Sequence, residues 1–386
     1  MTDFSDKNLE YRLECAREQE QRQADEQPRG QAQEQEQEQG QMPNENKIPS
    51  GPIIATLCCL SALGLRGRVV SSFSFFPPKL SGLILREQDG SIIEFKKEYI
   101  HKRFGLERIT LRSVANVEKR LGDLLVGERK ADIFCTWLES GRSKIPISCI
   151  SISPVQDEAG DRGQIPMFIF SHGNATDIGG MLPWFVNLSL KLNAHVLAYD
   201  YRSYGLSKGK PTERGIYADV RAVYEYAKNE LKFPTNRIFL LGQSIGSAPT
   251  VYLAKRLGKS LKKSPGVGLT SSGSDLPLGG IIVQSGIASG LNALLAPDYK
   301  KNIPCDVFTN YRYIRKVPFP ILILHGTCDQ VIHISNSKKL FENAKENKFH
   351  PPVTTWWIDG ANHSLPGPTP KKEYYQKIGA FVSSVI

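Results

Sequence analysis

The sequence predicts an α/β fold in which a mostly parallel central sheet is covered by helices on both faces. From about residue 132 onward, short apolar runs alternate with segments whose apolar residues recur at helical spacing. The runs are apolar at nearly every position, which is typical of parallel strands buried on both sides. With 386 residues, 40% of them hydrophobic, the chain is long enough to form one large core.

Eight apolar runs predict the strands of this sheet, at residues 132–138, 145–153, 166–171, 194–199, 237–241, 280–284, 319–324 and 353–358. Between or after them, helical spacing predicts helices at 217–231, 248–257 and 371–386. The alternation predicts a doubly wound α/β domain, which we assign to residues 81–386.

Two polar segments interrupt or precede this domain. Residues 1–50 are rich in Gln and Glu, a composition that predicts a disordered tail. Residues 259–279 are rich in Ser, Gly and Lys and have no periodicity, so they predict an inserted surface loop.

Residues 51–80 are predicted to associate with a membrane. The stretch 53–65 carries no charge, but Arg66 and Arg68 follow it. Because a spanning helix needs about 20 apolar residues, the stretch is predicted to lie in the interface rather than to cross the bilayer. The adjacent Cys58 and Cys59 are candidates for S-acylation. The alternative is an apolar helix that packs on the domain.

The charge is unevenly distributed. The net charge is +10, yet residues 1–50 hold twelve acidic and six basic residues, which leaves +16 on residues 51–386. A basic surface attracts nucleic acid or an anionic membrane. No motif of basic residues interleaved with aromatic ones favours nucleic acid, so we expect an anionic membrane surface and no nucleic acid.

The cysteines predict the cellular setting. Their number is odd and their spacing shows no pairs, which suggests neither a disulfide framework nor a zinc site. We therefore expect the cytoplasmic side of membranes, reached peripherally, with the cytosol as the alternative.

The motif Gly242-Gln-Ser-Ile-Gly246 provides a candidate nucleophile. It follows an apolar strand and precedes a helical segment, which is the setting of a strained turn that exposes a serine above a sheet. Glycines on both sides leave room for that turn. The pattern predicts Ser244 as the nucleophile.

An acid and a histidine follow Ser244 in the order that such a site requires. Asp329 comes at the end of the predicted strand 319–324, and His363 lies on the loop after the next strand. Because the carboxyl ends of parallel strands meet at one edge, we predict that Asp329 orients His363 and that His363 is the base.

Other titratable residues near this edge are given structural roles. His325 is predicted to make hydrogen bonds at a strand end, and His333 and His350 to serve at the surface or as caps. Asp359 is too close in sequence to His363 to orient it. Asp200 is predicted to anchor neighbouring loops.

The loop after the strand 166–171 provides candidate donors for an oxyanion. The backbone N–H of Ile245, after the nucleophile, is paired with that of Asn174, with Ala175 as the alternative to Asn174. A simple tight turn is the competing interpretation of His172-Gly173. This set of groups requires no metal or cofactor.

Together these segments resemble the α/β-hydrolase domain-containing protein 17 family of membrane-associated depalmitoylases, and more distantly the Bem46-like hydrolases. The resemblance covers residues 165–385 and is carried by Ser171-His-Gly-Asn-Ala-Thr-Asp, Tyr199-Asp-Tyr, Tyr217-Ala-Asp, Gly242-Gln-Ser-Ile-Gly, His325-Gly-Thr-Cys-Asp and Gly360-Ala-Asn-His.

The resemblance implies an α/β-hydrolase fold with a minimal lid. It places Ser244, Asp329 and His363 at the catalytic positions. Cys58 and Cys59 look like the family's acylated cysteines. Two departures, Arg202-Ser203 and the run from Gln284 to Ile287, allow a shift in substrate preference.

The expected function is that of a serine hydrolase which removes S-acyl groups from membrane-associated proteins, with S-acylated proteins as substrates. A cysteine thiolate, with a parent pKa of about 8.5, leaves more readily than an amine. The alternatives are a soluble carboxylesterase or peptidase of the Bem46-like type, and a catalytically silent, membrane-associated interaction module.

Overall fold

The computed structural model describes residues 74–78, 83–86, 92–95, 107–110, 131–154, 164–261, 276–294, 306–364 and 371–386. The predicted tail 1–50, the cysteines Cys58 and Cys59, most of the segment 51–80, and residues 262–275 of the predicted insert lie outside this set.

A nine-stranded sheet forms the centre of the molecule, with the strand order β11-β10-β9-β8-β6-β7-β5-β4-β3. All pairings among β6 to β11 are parallel, and those of β3 with β4, β4 with β5, and β5 with β7 are antiparallel. A separate antiparallel pair joins β1 and β2. The strands are β1 Leu83–Arg86, β2 Ile92–Phe95, β3 Glu107–Thr110, β4 Ala131–Ser140, β5 Ile145–Pro154, β6 Met167–Ser171, β7 His195–Tyr199, β8 Ile238–Gln243, β9 Gly280–Gln284, β10 Ile321–Gly326 and β11 Val353–Ile358.

Helices cover both faces of this sheet. They are α1 Leu182–Leu192, α2 Glu213–Asn229, α3 Ser247–Leu261, α4 Gly290–Leu294, α5 Asn310–Ile314, α6 Ser335–Lys345 and α7 Lys371–Ser383. Buried residues of α1 and α7 form one hydrophobic cluster, and those of α2, α3, α5 and α6 form another. The parallel strands contribute alternate residues to each cluster, so the prediction of a mostly parallel sheet between two helical layers is confirmed.

The eight predicted strands are all present, with ends displaced by at most a few residues. Helix α3 runs to Leu261, so the first three residues of the predicted loop 259–279 are helical. Helix α1 was not predicted, because its sequence Leu-Pro-Trp-Phe-Val-Asn-Leu-Ser-Leu-Lys-Leu is apolar on nearly all sides and gives little periodicity. The helices α4, α5 and α6 were also absent from the prediction; α4 and α5 have only five residues each.

The sheet brings several loops together at one edge. Register pairs Ser171 with Gly242, and Gln243 with Gln284, so β6, β8 and β9 end side by side. Strands β10 and β11 continue this edge in the same direction. Since functional groups of parallel sheets collect beyond the carboxyl ends of the strands, the loops that follow these five strands are where a site is expected.

In the part of the chain that the structure describes, no helix combines the length and the apolar character needed to cross a membrane.

Candidate active site

Ser244 occupies a strained turn between β8 and α3. Its φ is +54°, a left-handed conformation that disfavours a non-glycine residue by roughly 1–2 kcal/mol. The turn is held from inside, because Ser247 Oγ donates to the Ser244 carbonyl at 2.6 Å. The backbone N–H of Ile287 in turn donates to Ser247 Oγ at 3.2 Å.

The two glycines of the motif are required by close backbone approaches. A Cβ on Gly242 would lie 2.7 Å from the carbonyl carbon of Gly246, and a Cβ on Gly246 would lie 2.8 Å from the carbonyl oxygen of His172. The second contact packs the nucleophile turn directly against the loop after β6. The motif therefore fixes Ser244 relative to the predicted oxyanion loop.

Asp329 and His363 are hydrogen-bonded to each other. His363 Nδ1 donates to Asp329 Oδ2 at 2.8 Å, and His325 Nε2 approaches the same oxygen at 3.1 Å. The other oxygen, Oδ1, accepts the backbone N–H groups of Val331 at 2.9 Å and Ile332 at 2.8 Å. All four interactions converge on one carboxylate that is only 2% exposed.

These contacts determine the charge of the carboxylate. Burial by itself raises the pKa of Asp329, but the hydrogen bonds and charges of His325 and His363 outweigh it and hold the pKa well below its usual range. Asp329 is therefore ionised at neutral pH. With Nδ1 donating to it, neutral His363 has its free lone pair on Nε2, which is the atom that a general base uses.

The loops that carry the acid and the histidine are tied together. The backbone N–H of Cys328 donates to the Ala361 carbonyl at 3.0 Å, and that of Gly360 donates to Thr327 Oγ1 at 2.8 Å. A Cβ on Gly326 would lie 2.5 Å from the Ala361 carbonyl carbon. Cys328 is disulfide-bonded, and its partner lies outside the described residues. The expectation of no disulfide was therefore wrong, because the distance between cysteines in the fold, and not their spacing along the chain, decides which of them pair.

Ser285 supports His363 from the neighbouring strand. It follows β9 with a φ of +46°, and its Oγ donates to the His363 carbonyl at 3.3 Å. The pairing of Gln243 with Gln284 makes Ser244 and Ser285 neighbours at the sheet edge. Within the described residues Ser244 Oγ makes no hydrogen bond to His363; in proteins without substrate such contacts are often long and shorten on binding.

The predicted oxyanion loop lies beside Ser244. A Cβ on Gly173 would lie 3.8 Å from Ser244 Cβ. The backbone N–H groups of Asn174 and Ala175 donate to no other described residue, so both are available to an oxyanion. Ile245, the third predicted donor, follows Ser244 and is buried.

Asp200 anchors this loop from below. Its Oδ1 accepts the backbone N–H of Ile178 at 2.9 Å, and its Oδ2 accepts Ser148 Oγ at 3.0 Å. The neighbouring Tyr201 donates its hydroxyl to the His172 carbonyl at 2.6 Å. Asp200 thus occupies a structural position at the edge, and the geometry gives it no contact with Ser244.

Residues that the sequence did not assign to the site also contact the oxyanion loop. Tyr204 donates its hydroxyl to Asn174 Oδ1 at 2.5 Å, and the backbone N–H of Phe76 donates to the same oxygen at 3.0 Å. Tyr204 lies just after a strand that ends at this edge, so its position in the sequence could have assigned it to the site. The contact of Phe76 spans 98 residues, and no local pattern indicates it.

Two further observations concern metal binding and the position of the predicted groups. The described residues contain no cluster of three or more His, Cys, Asp or Glu side chains arranged to hold a metal ion. The predicted groups Ser244, Asp329, His363, Ile245, Asn174 and Ala175 all lie on loops at the same edge of the sheet.

Comparison with known proteins identifies relatives over most of the chain, although no family model matches it. The human alpha/beta hydrolase domain-containing protein 17B is 28% identical over 332 residues, covering 85% of this chain and 95% of that protein. The alpha/beta hydrolase domain-containing protein aho-3 of Caenorhabditis elegans is 28% identical over 84% of this chain and 82% of its own length.

A solved structure shows the same fold. The crystal structure of vibralactone cyclase matches with a TM-score of 0.50 and 14% identity, covering 70% of this chain and 85% of that one. The α/β-hydrolase fold predicted from the sequence is confirmed. The resemblance to the alpha/beta hydrolase domain-containing protein 17 family drawn from the motifs is confirmed as well, because proteins of that name are similar to most of this chain.

Proposed function

We propose that this hydrolase is a serine thioesterase that removes S-acyl groups from cysteines of membrane-associated proteins. The observation that carries the proposal is the hydrogen bond from His363 to an ionised, buried Asp329, on loops adjoining a strained Ser244. These are the groups that nucleophilic acyl transfer requires.

In the proposed reaction, His363 Nε2 takes the proton of Ser244 Oγ as that oxygen attacks the thioester carbonyl carbon. Asp329 stabilises the imidazolium that forms. The backbone N–H groups of Ile245 and of Asn174 or Ala175 bind the oxyanion. The C–S bond then breaks, the cysteine thiolate takes the proton from His363, and an acyl-Ser244 ester remains.

The second half of the reaction uses the same groups. His363 removes a proton from water as its oxygen attacks the acyl-Ser244 carbonyl, and the Ser244 oxygen leaves with that proton. The fatty acid departs and the free enzyme is restored. Because the thiolate, with a parent pKa of about 8.5, is a good leaving group, this sequence needs no cofactor or metal.

We further propose that the protein acts peripherally at the cytoplasmic face of a membrane. The charge of +16 on residues 51–386 favours an anionic lipid surface, and the uncharged stretch 53–65 offers Cys58 and Cys59 for acylation. An acyl chain adds about 0.8 kcal/mol of membrane affinity per buried methylene. S-acylated proteins on the same membrane are then the natural substrates.

The nucleophile is tested with a fluorophosphonate probe on the wild type and on Ser244→Ala. We expect labelling of the wild type and none of the variant, whereas Ser384→Ala, an exposed serine of the C-terminal turn, provides the matched control. Equal labelling of Ser244→Ala and the wild type would exclude Ser244 as the nucleophile. Absence of labelling in a folded wild-type protein would favour the silent interaction module.

The substrate class is tested by comparing kcat/KM for a peptide acylated on cysteine with that for the same peptide acylated on serine. A thioesterase prefers the cysteine thioester. A preference for the oxyester, or for an amide, would instead indicate a carboxylesterase or a peptidase.

Membrane association is measured by fractionation of the wild type and of a Cys58→Ser/Cys59→Ser variant. We expect the double variant to leave the membrane fraction and a Cys15→Ser control to remain in it. An unchanged distribution of the double variant would defeat the acyl anchor.

A further inference from the structure

The segment 74–78, Ser-Phe-Phe-Pro-Pro, packs against the active-site face although it lies far from the catalytic residues in sequence. Phe75 is 5% exposed and belongs to the hydrophobic cluster beneath α2 and α3. Its ring meets that of Phe308 edge to face at 5.8 Å. The backbone N–H of Phe308 donates to Glu213 Oε1 at 2.9 Å, so Phe75 is packed against a residue that α2 holds in place.

The next residue, Phe76, makes the contact with the oxyanion loop. Its side chain is 57% exposed, but its backbone N–H donates to Asn174 Oδ1 at 3.0 Å and to the Tyr204 hydroxyl at 3.1 Å. Burial raises the pKa of Tyr204 even though the Phe76 N–H acts in the opposite direction. Tyr204 is therefore a neutral phenol, and its hydroxyl donates a hydrogen bond to Asn174 Oδ1 at 2.5 Å.

Two donors consequently converge on one side-chain oxygen. Asn174 is half-buried and Ala175 is exposed, so packing alone leaves this part of the loop weakly restrained. The hydrogen bonds from Phe76 and Tyr204 fix the Asn174 side chain, and through it the peptide groups of the loop that lies beside Ser244. A displacement of about 1 Å in such a site lowers rates by about 100-fold.

We propose that the backbone N–H of Phe76 is a positioning group that holds Asn174 and thereby sets the oxyanion loop for catalysis. The inference rests on the proposed function, because it assigns the 74–78 segment a role in the rate of acyl transfer to Ser244. Phe76 acts through Asn174 and does not itself touch the reacting atoms.

The test measures the rate at which a fluorophosphonate labels Ser244 in the full-length protein, because this reaction uses the oxyanion loop whatever the natural substrate is. Phe76→Pro removes the N–H, and Asn174→Ala removes its acceptor while keeping the Asn174 backbone N–H. Pro77→Ala, an exposed neighbour that lacks an N–H in the wild type, is the matched control. Melting temperatures of all variants show whether the fold is retained.

Loss of one oxyanion donor lowers kcat by about 100- to 1,000-fold, so misplacement of the loop is expected to slow labelling by about tenfold in Phe76→Pro and in Asn174→Ala. The double variant should be no slower than the slower single variant, because both remove the same hydrogen bond. Labelling of Pro77→Ala should match the wild type. If Phe76→Pro does not fold, Asn174→Ala is compared with Tyr204→Phe, which removes the hydroxyl donor and keeps the bond from Phe76 to Asn174. A slower labelling of Asn174→Ala than of Tyr204→Phe would support the inference, and equal rates would overturn it.

Several results would overturn the inference. Labelling of Phe76→Pro or Asn174→Ala within about twofold of the wild type would do so, as would a double variant slowed by the product of the two single effects. Phe76→Ala, which keeps the N–H, separates the side chain from the backbone: a loss as large as that of Phe76→Pro would assign the effect to the ring. A wild-type protein that is not labelled at all would instead refute the proposed function, and this inference with it.

Discussion

His325 is predicted to stabilise both the fold and the ionised carboxylate of Asp329, the proposed catalytic acid. It is fully buried, its Nε2 lies 3.1 Å from Asp329 Oδ2 and 2.8 Å from the Ile332 carbonyl, and its Nδ1 lies 2.6 Å from Ser337 Oγ. The tautomer with the proton on Nε2 satisfies all three partners, because Ser337 then donates to Nδ1. The perturbation we consider is His325→Ala.

The magnitude follows from these contacts. A hydrogen bond to a charged group contributes about 1.5–3 kcal/mol, and each of the two neutral ones contributes about 0.5–1.5 kcal/mol. Because some partners relax when the ring is removed, we expect the free energy of unfolding to fall by about 3–5 kcal/mol. Asp329 keeps His363 and two backbone N–H donors, so kcat should fall by about tenfold, far less than the factor of about 10,000 for loss of the acid in a triad.

The assay is urea denaturation of the wild type and His325→Ala, with His333→Ala as the control; His333 is only half-buried and its Nδ1 lies 2.9 Å from Ser335 Oγ. Removal of the His325 donor also raises the pKa of Asp329. A depressed carboxyl pKa stabilises the fold above its unfolded value of about 3.9, and this contribution is lost as the pH falls through the folded-state pKa. The difference between wild type and variant should therefore shrink below about pH 4. A destabilisation under 1 kcal/mol, or a kcat as low as that of Asp329→Asn, would refute this reasoning.

Three further predictions concern the acid, the nucleophile turn and a buried lysine. Asp329→Asn should lower kcat by about 10,000-fold with KM little changed, as steady-state kinetics would show; retention of a tenth of the activity would exclude Asp329 as the acid. Gly246→Ala places a Cβ against the carbonyl group of Ser171 and should destabilise the fold by about 3 kcal/mol, a loss that would appear as a lower melting temperature. Burial and neighbouring cations lower the pKa of Lys255 to about 8, and its Nζ lies over the Tyr313 ring at 3.6 Å. Because the unfolded chain binds the proton more tightly, the wild type should gain stability relative to Lys255→Met as the pH rises from about 8 to about 10.4; a difference that is constant over this range would contradict the assignment.

The sequence predicted the parts of the site that depend on local pattern. The turn of Ser244 was predicted from a strand, a turn motif and a helix, each of them a short-range feature, and the structure has that turn between β8 and α3. Asp329 and His363 were found because each follows an apolar run that had to be a parallel strand, and the edge at which such strands end is known in advance. The positions of the strands were therefore sufficient to predict where these residues meet.

The supporting contacts escaped prediction because they join distant segments. The hydroxyl of Ser285 reaches the His363 carbonyl across 78 residues, and the N–H of Phe76 reaches Asn174 across 98. Neither residue carries a local signature: a serine after a strand has many uses, and a backbone N–H is present in every residue except proline. Such contacts follow from how whole loops pack, and periodicity does not describe that.

The two departures from the family pattern are expected to bear on substrate preference, and the structure shows what the side chains of Arg202 and Gln284 contact. Arg202 Nε donates to Asp219 Oδ1 at 2.9 Å, and its Nη2 donates to Ser140 Oγ at 2.9 Å. Burial raises the pKa of Asp219, while Arg202 opposes that rise. Gln284 accepts the Tyr374 hydroxyl at 2.6 Å inside the core. Both side chains thus fix elements of the domain, whereas Ser285 and Ile287, in the same run as Gln284, contact His363 and the turn of Ser244. A substrate is expected at the loops beyond the carboxyl ends of the parallel strands. Of those loops, the one that carries Asn174 is held by the 74–78 segment, which lies only 15 residues beyond Cys59. Residues 74–78 therefore form the end of the segment 51–80 that is proposed to bring the enzyme to its membrane, and the same residues are proposed to set its oxyanion loop.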